Sequence, residues 1–283
     1  MARRRNNAIS LSRPNWFVYG ALSALIIASL FPLYWTFLIG SGDASTVTDQ
    51  NMSWIPGGNF FSNAASVLGN PAVNFWKALG NSVIVSTAVA LSTVVLSTLA
   101  GFAFAKLRFR GNGPLLAAVV ATMVVPVQLG MVPLYILMNK FGWTGELGAV
   151  IVPALVTAFG VFWMTQYMQQ SLPTELIEAA RVDGCNMIRT FWNVAVPAAR
   201  PAAAMLFLFT FVTAWNNFMW PLIILDQSNP TLPLALSMLQ GNFFVDYSLV
   251  LSGVLLATIP LLLLFIFAGR QLVSGIMAGA VKG

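Results

Sequence analysis

The stretch Glu175–Pro197, ELIEAARVDGCNMIRTFWNVAVP, decides how the rest of the chain is read. It holds three acids (Glu175, Glu178, Asp183) and two bases (Arg181, Arg189) in a chain that is 58% apolar and only 8% charged. Soluble domains average about 45–50% apolar and about 25% charged, so the surroundings have the composition of a bilayer protein. The stretch itself reads as a short polar helix, a glycine break and a second, amphipathic helix. Pro173 falls near the first turn, where its missing N–H is harmless. Glu175 and Glu178 lie toward the positive end of the helix dipole. Gly184 is placed to end the helix in a left-handed cap. Ala179 and Ala180 are small enough to let the helix backbone sink into a groove on a partner, and Glu178 beside them offers an acceptor to a partner's Arg or Lys. Beyond the glycine, Ile188, Phe191, Trp192 and Ala195 share a face that fits the membrane or the helix bundle. Pro197 and Pro201 are expected to turn the chain into the span that follows.

Working outward, six apolar runs reach the length of about 20 residues that a bilayer requires. They are Asn15–Gly40, Gly80–Ala103, Pro114–Met138, Leu147–Met168, Pro201–Leu225 and Ser248–Gly269. None has a charged residue in its interior. The first follows Arg3-Arg4-Arg5, but its core is too long for a signal peptide and no small-residue cleavage site follows, so it reads as a retained span. Six spans put both termini on one side. With that side cytoplasmic, it holds every base except Lys77 and Lys140 of the 14 Lys and Arg in the chain. This is a strong positive-inside bias, and it explains the net charge of +6 without nucleic acid. The organisation expected is a cytoplasmic N-terminus (1–14), a six-span all-α domain (15–270) with the polar loop at 169–200, and a small, flexible cytoplasmic tail (271–283).

The outer loop Ser41–Leu79 carries Phe60, Phe61, Val67, Leu68, Phe75 and Trp76, which read as short interfacial helices anchored among headgroups. In the second span Ser82, Ser86, Ala90, Thr93, Ser97 and Gly101 fall on one face at steps of three and four; small residues so placed read as a packing seam. Pro126, Pro133, Pro153 and Pro221 are expected to kink their spans or free a carbonyl. In the fifth span, TAWNNFMWP places Trp215, Asn216, Asn217 and Trp220 where indole faces and amides suit a polyhydroxylated solute. The same amides also serve as glue between helices, the stronger reading for Asn216.

Several functions are excluded. Histidine is absent and Cys185 is the only cysteine, so an internal disulfide is impossible and a Cys/His metal site is not expected. No ionisable group lies at membrane depth, which argues against aspartyl proteolysis and against proton coupling. A sodium-coupled secondary carrier or a facilitator for a small polar solute stays open, because carbonyls and hydroxyls alone can build its sites. No phosphate-binding Gly-Lys loop is present, so any pumping draws its energy from another chain.

EAARVDG, followed at its fixed distance by FWNVAVP, resembles the EAA loop of the permease subunits of ATP-binding cassette importers. Glu178, Ala179, Ala180, Gly184 and Pro197 stand at the motif's characteristic positions, and Arg181 and Asp183 fit its pattern. VPVQLGMVPLYILMNKFGW, FVTAWNNFMWPLIIL, TLPLAL and the AGAVKG end are similar to carbohydrate permeases of the maltose-permease kind, and VDYSLVLSGVLLATIPLLLLF to permeases for disaccharides such as cellobiose. The resemblance covers nearly the whole chain. It implies a type I importer fold whose EAA loop is a coupling helix (Glu178, Ala179, Ala180, Asp183, Gly184, Pro197) docked on an ATPase. It also implies a second, homologous permease chain, two ATPase subunits that bind ATP and Mg, and an extracytoplasmic sugar-binding protein. On this reading the chain is non-catalytic, carries no cofactor or metal, and sits in a bacterial inner membrane with both termini cytoplasmic.

Overall fold

The computed structural model describes residues 16–45, 53–240 and 245–280, with side chains as far as Phe267. The Arg3-Arg4-Arg5 start, the segment 1–14 and Lys282 lie outside the described residues. The described chain is helical, and a single isolated bridge, Gln240 with Val245, is the β pairing found in it. Among the described residues five helices are long and apolar enough to cross a membrane, or six when a bent pair is counted as one span.

The first span, α1 (Trp16–Gly40), matches its expected bounds. A short helix, α2 (Phe60–Leu68), precedes α3 (Phe75–Lys106), which is the second span. The expectation of headgroup anchors fails at Val67 and Phe75, which are buried in an apolar cluster with Trp215, Leu232 and Leu236. Phe75 begins the span itself, because the helix starts five residues before the apolar run does. Phe61 and Trp76 do remain exposed.

The small-residue face of α3 is a packing seam as read. Ser82, Ser86, Ala90, Thr93, Ser97 and Gly101 are all buried. A Cβ on Gly101 would lie 2.7 Å from Met164 Cβ, and one on Gly160 would lie 2.4 Å from Ser97 Oγ. Absent side chains therefore let α3 and α7 (Ala158–Ser171) touch nearly backbone to backbone, the approach that substitutes for a hydrophobic drive inside lipid.

The third span is not the straight helix expected. It is α4 (Asn112–Thr122), a 3₁₀ turn (Val127–Gly130) and α5 (Met131–Lys140), and the two halves meet at 89°. Pro126 lies in the break, where it donates no hydrogen bond. The fourth span enters through the short α6 (Gly148–Ile151) and a 3₁₀ turn (Val152–Ala154) before α7. Pro133, Pro153 and Pro221 fall in first turns, where they are tolerated. The prolines inside helices are instead Pro32, Pro201 and Pro260.

The fifth span also departs from expectation. Pro197 and Pro201 do not turn the chain. A rod runs from Met187 to Trp215 through α9 (Met187–Thr190), a π turn (Phe191–Ala195) and α10 (Val196–Trp215). Val196 N–H reaches back five residues to Phe191 O. The widened turn absorbs Pro197, whose ring denies a donor to carbonyls of the exposed Trp192 and Asn193. After a break at Asn216–Phe218 come α11 (Met219–Ile224) and α12 (Leu232–Ser237). The last helix, α13 (Tyr247–Ala280), continues through most of the segment read as a flexible tail.

Candidate functional site: a coupling helix and a charge-free cavity

Two features stand out at opposite ends of the rod. At one end is α8 (Thr174–Val182), the polar helix of the opening stretch. Its end is a Schellman motif: Cys185 N–H donates to Ala180 O at 2.9 Å and Gly184 N–H to Arg181 O at 3.1 Å. Gly184 has φ +80°, the left-handed cap its position predicts. Asn186, which composition alone did not single out, caps α9 by accepting from Arg189 N–H at 2.9 Å.

The helix phase divides the motif. Ile177 and Ala180 face inward; Ile177 joins a cluster with Phe102, Met168 and Phe191. Ala180 is 7% exposed, so the expectation that both alanines enter a partner's groove is corrected: one turn of helix points only Ala179 outward with Glu178. The outward face gains two residues the sequence reading passed over, Leu176 at 49% and Val182 at 88% exposed. Their signal was the i, i+3, i+6 spacing of Leu176, Ala179 and Val182 on a polar helix. Asp183 and Gly184 are exposed beside them, and Pro197 is exposed near the start of α10. The face Ile188–Phe191–Trp192–Ala195 splits: Phe191 and Ala195 enter the bundle, with Phe191 5.5 Å from the Phe102 ring, while Ile188 and Trp192 stay exposed.

At the other end, a cavity of about 780 Å³ opens where the third, fourth and fifth spans all lose regular helix. Its polar lining is Gln128, Thr157, Thr210, Thr213, Asn216 and Asn217, and Phe159, Phe209 and Phe218 supply aromatic wall. No charged residue lines it. Asn217 N–H donates to Ala214 O at 3.2 Å. Asn216 Nδ2 donates to Val212 O in its own helix at 2.9 Å, so the amide closes the end of α10 and does not bridge helices as expected. The two tryptophans stand behind the wall. Trp220 is buried and donates from Nε1 to Ala149 O at 3.0 Å. Trp215 stacks on Phe211 at 5.7 Å and borders a smaller cavity of about 320 Å³. Gln128, which sequence reasoning missed, was flagged by an amide two residues after a proline inside an apolar run.

Several ties hold α11 to the turn before α6. Gly145 N–H donates to Ile224 O at 2.8 Å, and Asn229 Nδ2 donates to Gly145 O at 3.0 Å. The following segment is tied to α3 by Asn81 Nδ2 on Pro230 O at 3.0 Å and by Leu232 N–H on Ser82 Oγ at 2.7 Å. The cavity wall is therefore braced from both sides.

A polytopic helical bundle with a broken-helix cavity and an outward-facing polar helix has the architecture of a membrane permease subunit. Residues 93–273 match the family described as binding-protein-dependent transport system inner membrane component, and the chain belongs to that family. It is 33% identical to the arabinooligosaccharides transport system permease protein of Halalkalibacterium halodurans, over 92% of this chain and 89% of that one. It is also 33% identical to the lactose transport system permease protein of Rhizobium radiobacter, over 95% of this chain and 97% of that one. A crystal structure of a bacterial ABC transporter that imports the acidic polysaccharide alginate contains a chain with the same fold, at a TM-score of 0.77, 20% identity and 95% and 99% coverage. The chain is thus a multi-pass permease of the ATP-binding cassette importer class, working with other components of its transport system.

Proposed function

We propose that this chain forms one half of the membrane path of an ATP-driven importer of neutral di- or oligosaccharides. The observation that carries the reading is α8: a capped polar helix whose Leu176, Ala179, Val182 and Glu178 are left outward. Such a helix, joined by one short turn to a 29-residue rod, is a lever. A cytoplasmic ATPase that grips it moves the far end, where α10 breaks against the cavity. ATP and Mg bind to two such ATPase subunits, and this chain holds no cofactor. A second, homologous permease chain completes the path, and an extracytoplasmic binding protein delivers the sugar. Both termini lie in the cytoplasm, on the basic side.

The relatives named above are permeases of arabinooligosaccharide and lactose systems. Others more distant belong to sn-glycerol-3-phosphate systems. A cavity wall of amides, hydroxyls and rings without a Lys or Arg favours the neutral cargo, because an anion there would stay unpaired. Gln128, Asn217 and Thr213 are the groups that read sugar hydroxyls, Phe159 and Phe218 pack on the C–H faces, and Asn216 holds the break open. Trp215 and Trp220 brace the wall.

Glu178→Lys tests the coupling. In proteoliposomes of the whole complex, ATP-dependent uptake is expected to fall at least about tenfold, roughly 1.4 kcal/mol of lost docking or more, while all subunits still co-purify. Wild-type uptake by the variant, or uptake by this chain purified alone, overturns the reading.

A further inference from the structure

The fifth span breaks between two cavities. Asn216 and Phe218 line both the main cavity and the smaller one of about 320 Å³, so the break is the partition between them. The smaller cavity lies among α10, α12 and α13, and no charged residue lines it. Val250, Val254, Ala257 and Leu261, at steps of four, three and four, form an apolar rail along α13. Polar groups stand beside and opposite the rail. Ser237 Oγ donates to Leu234 O at 2.7 Å and Thr258 Oγ1 to Val254 O at 2.8 Å, which leaves both oxygens able to accept. Trp215 supplies a donor. It is 3% exposed, and it lines the smaller cavity but not the main one. The Trp163 and Trp220 indoles donate to Ala202 O at 3.2 Å and Ala149 O at 3.0 Å. Among the described residues no acceptor meets the Trp215 N–H, and it is not among the atoms sealed in the core. The cavity is the space that N–H reaches. A donor so placed is costly until something in the cavity accepts from it.

We propose that the smaller cavity is a second saccharide subsite, one sugar unit long, adjoining the main cavity across Phe218 and Asn216. A sugar ring has hydroxyls on its rim and C–H groups on its faces. The rail takes a C–H face, Trp215 Nε1 donates to a hydroxyl oxygen, and Ser237 and Thr258 accept from neighbouring hydroxyls. A lipid chain fits the rail but leaves the indole N–H unpaired, and an anion finds no cation there. At about 320 Å³ the cavity stands at the lower end of the roughly 300–1,000 Å³ of small-molecule sites and is less than half the size of the main one. That suits a single unit beside a larger chamber. A dependence on cargo length follows. A disaccharide is housed in the main cavity, and a longer chain extends past Phe218 to α12 and α13. The subsite rests on the importer reading and adds to it where the further units of the cargo lie.

Uptake by proteoliposomes of the complete complex, binding protein included, tests the subsite. The probes are radiolabelled arabino- and cello-oligosaccharides of two, three and four units. Trp215→Phe removes the N–H and keeps a ring against Phe211; Thr258→Val removes the acceptor and keeps the branched shape. Each is expected to lower kcat/KM for three- and four-unit saccharides about fivefold, the scale of one hydrogen bond, and to leave two-unit uptake within about twofold of wild type. The lengths are compared within one variant, so a fault in folding or bracing, which lowers all of them alike, is told apart from a lost contact. Equal loss at every length, no loss from either variant, or a wild-type complex that carries two units and no more overturns the subsite and leaves the importer reading standing. A wild-type complex that takes up no saccharide of any length overturns the importer reading and the subsite with it.

Discussion

At the scale of one residue, Gly184 is the clearest case of chemistry dictated by backbone geometry. Its φ of +80° closes α8, and no atom lies within 4 Å of where a Cβ would stand. A substitution there meets no clash, so its effect comes from conformation alone. Gly184→Val is expected to cost about 1–2 kcal/mol, the price of the left-handed region for a side chain with Cβ, and Gly184→Asn much less. Thermal unfolding of the purified complex orders the variants; equal midpoints for Val and Asn would remove the cap from the account. This position was legible because the rule is local: a helix ending in glycine needs nothing but its own backbone. Ala180 was not legible in the same way. Two adjacent alanines look equivalent in a sequence, and only the phase of α8 against Phe191 and its neighbours sends one inward.

At the scale of the element, α3 shows how absent side chains set helix distance. Gly101→Val places a branched side chain against Met164, whose backbone carbon lies 2.8 Å from the new Cβ. Overpacking of this kind costs about 1–3 kcal/mol or more. Gly80→Ala, on the same helix with nothing within 4 Å, is expected to be neutral or to gain up to about 1 kcal/mol in helix propensity. Unfolding midpoints of the two variants should move apart; a tolerated Gly101→Val would deny the seam. The seam could be read from spacing because helical period alone puts those residues together. The bend in the third span could not. An apolar run looks the same whether straight or broken, and Pro126 marks a weak point without giving the 89° angle. The rod from Met187 shows the converse: two prolines that signalled a turn are carried within one helix, because the π turn takes up Pro197 and Pro201 inside α10 forfeits a single backbone hydrogen bond.

At the scale of the whole molecule, the breaks of three spans converge on one cavity, and the rod Met187–Trp215 ends beside it. Asn217→Ala is expected to lower kcat/KM for neutral disaccharide uptake about tenfold, ~1.4 kcal/mol, with the ATPase still stimulated by the binding protein. Unchanged uptake would take that amide off the path. The separation of the two readouts follows from the layout, since α8 and Asn217 lie at opposite ends of the rod Met187–Trp215.

The sequence by itself determined the medium, the apolar runs that become the spans, the glycine cap of α8, the seam of α3 and the polar helix set between two spans. All of these follow from composition, period or single-residue geometry, which act over a few residues. Only the tertiary structure decided which face of α8 is outward, that Trp215 and Trp220 brace the wall while Asn217 and Gln128 border the cavity, and that the third span bends. Those depend on which residues distant in sequence become neighbours, and a run of apolar side chains carries no record of its partners until it is packed.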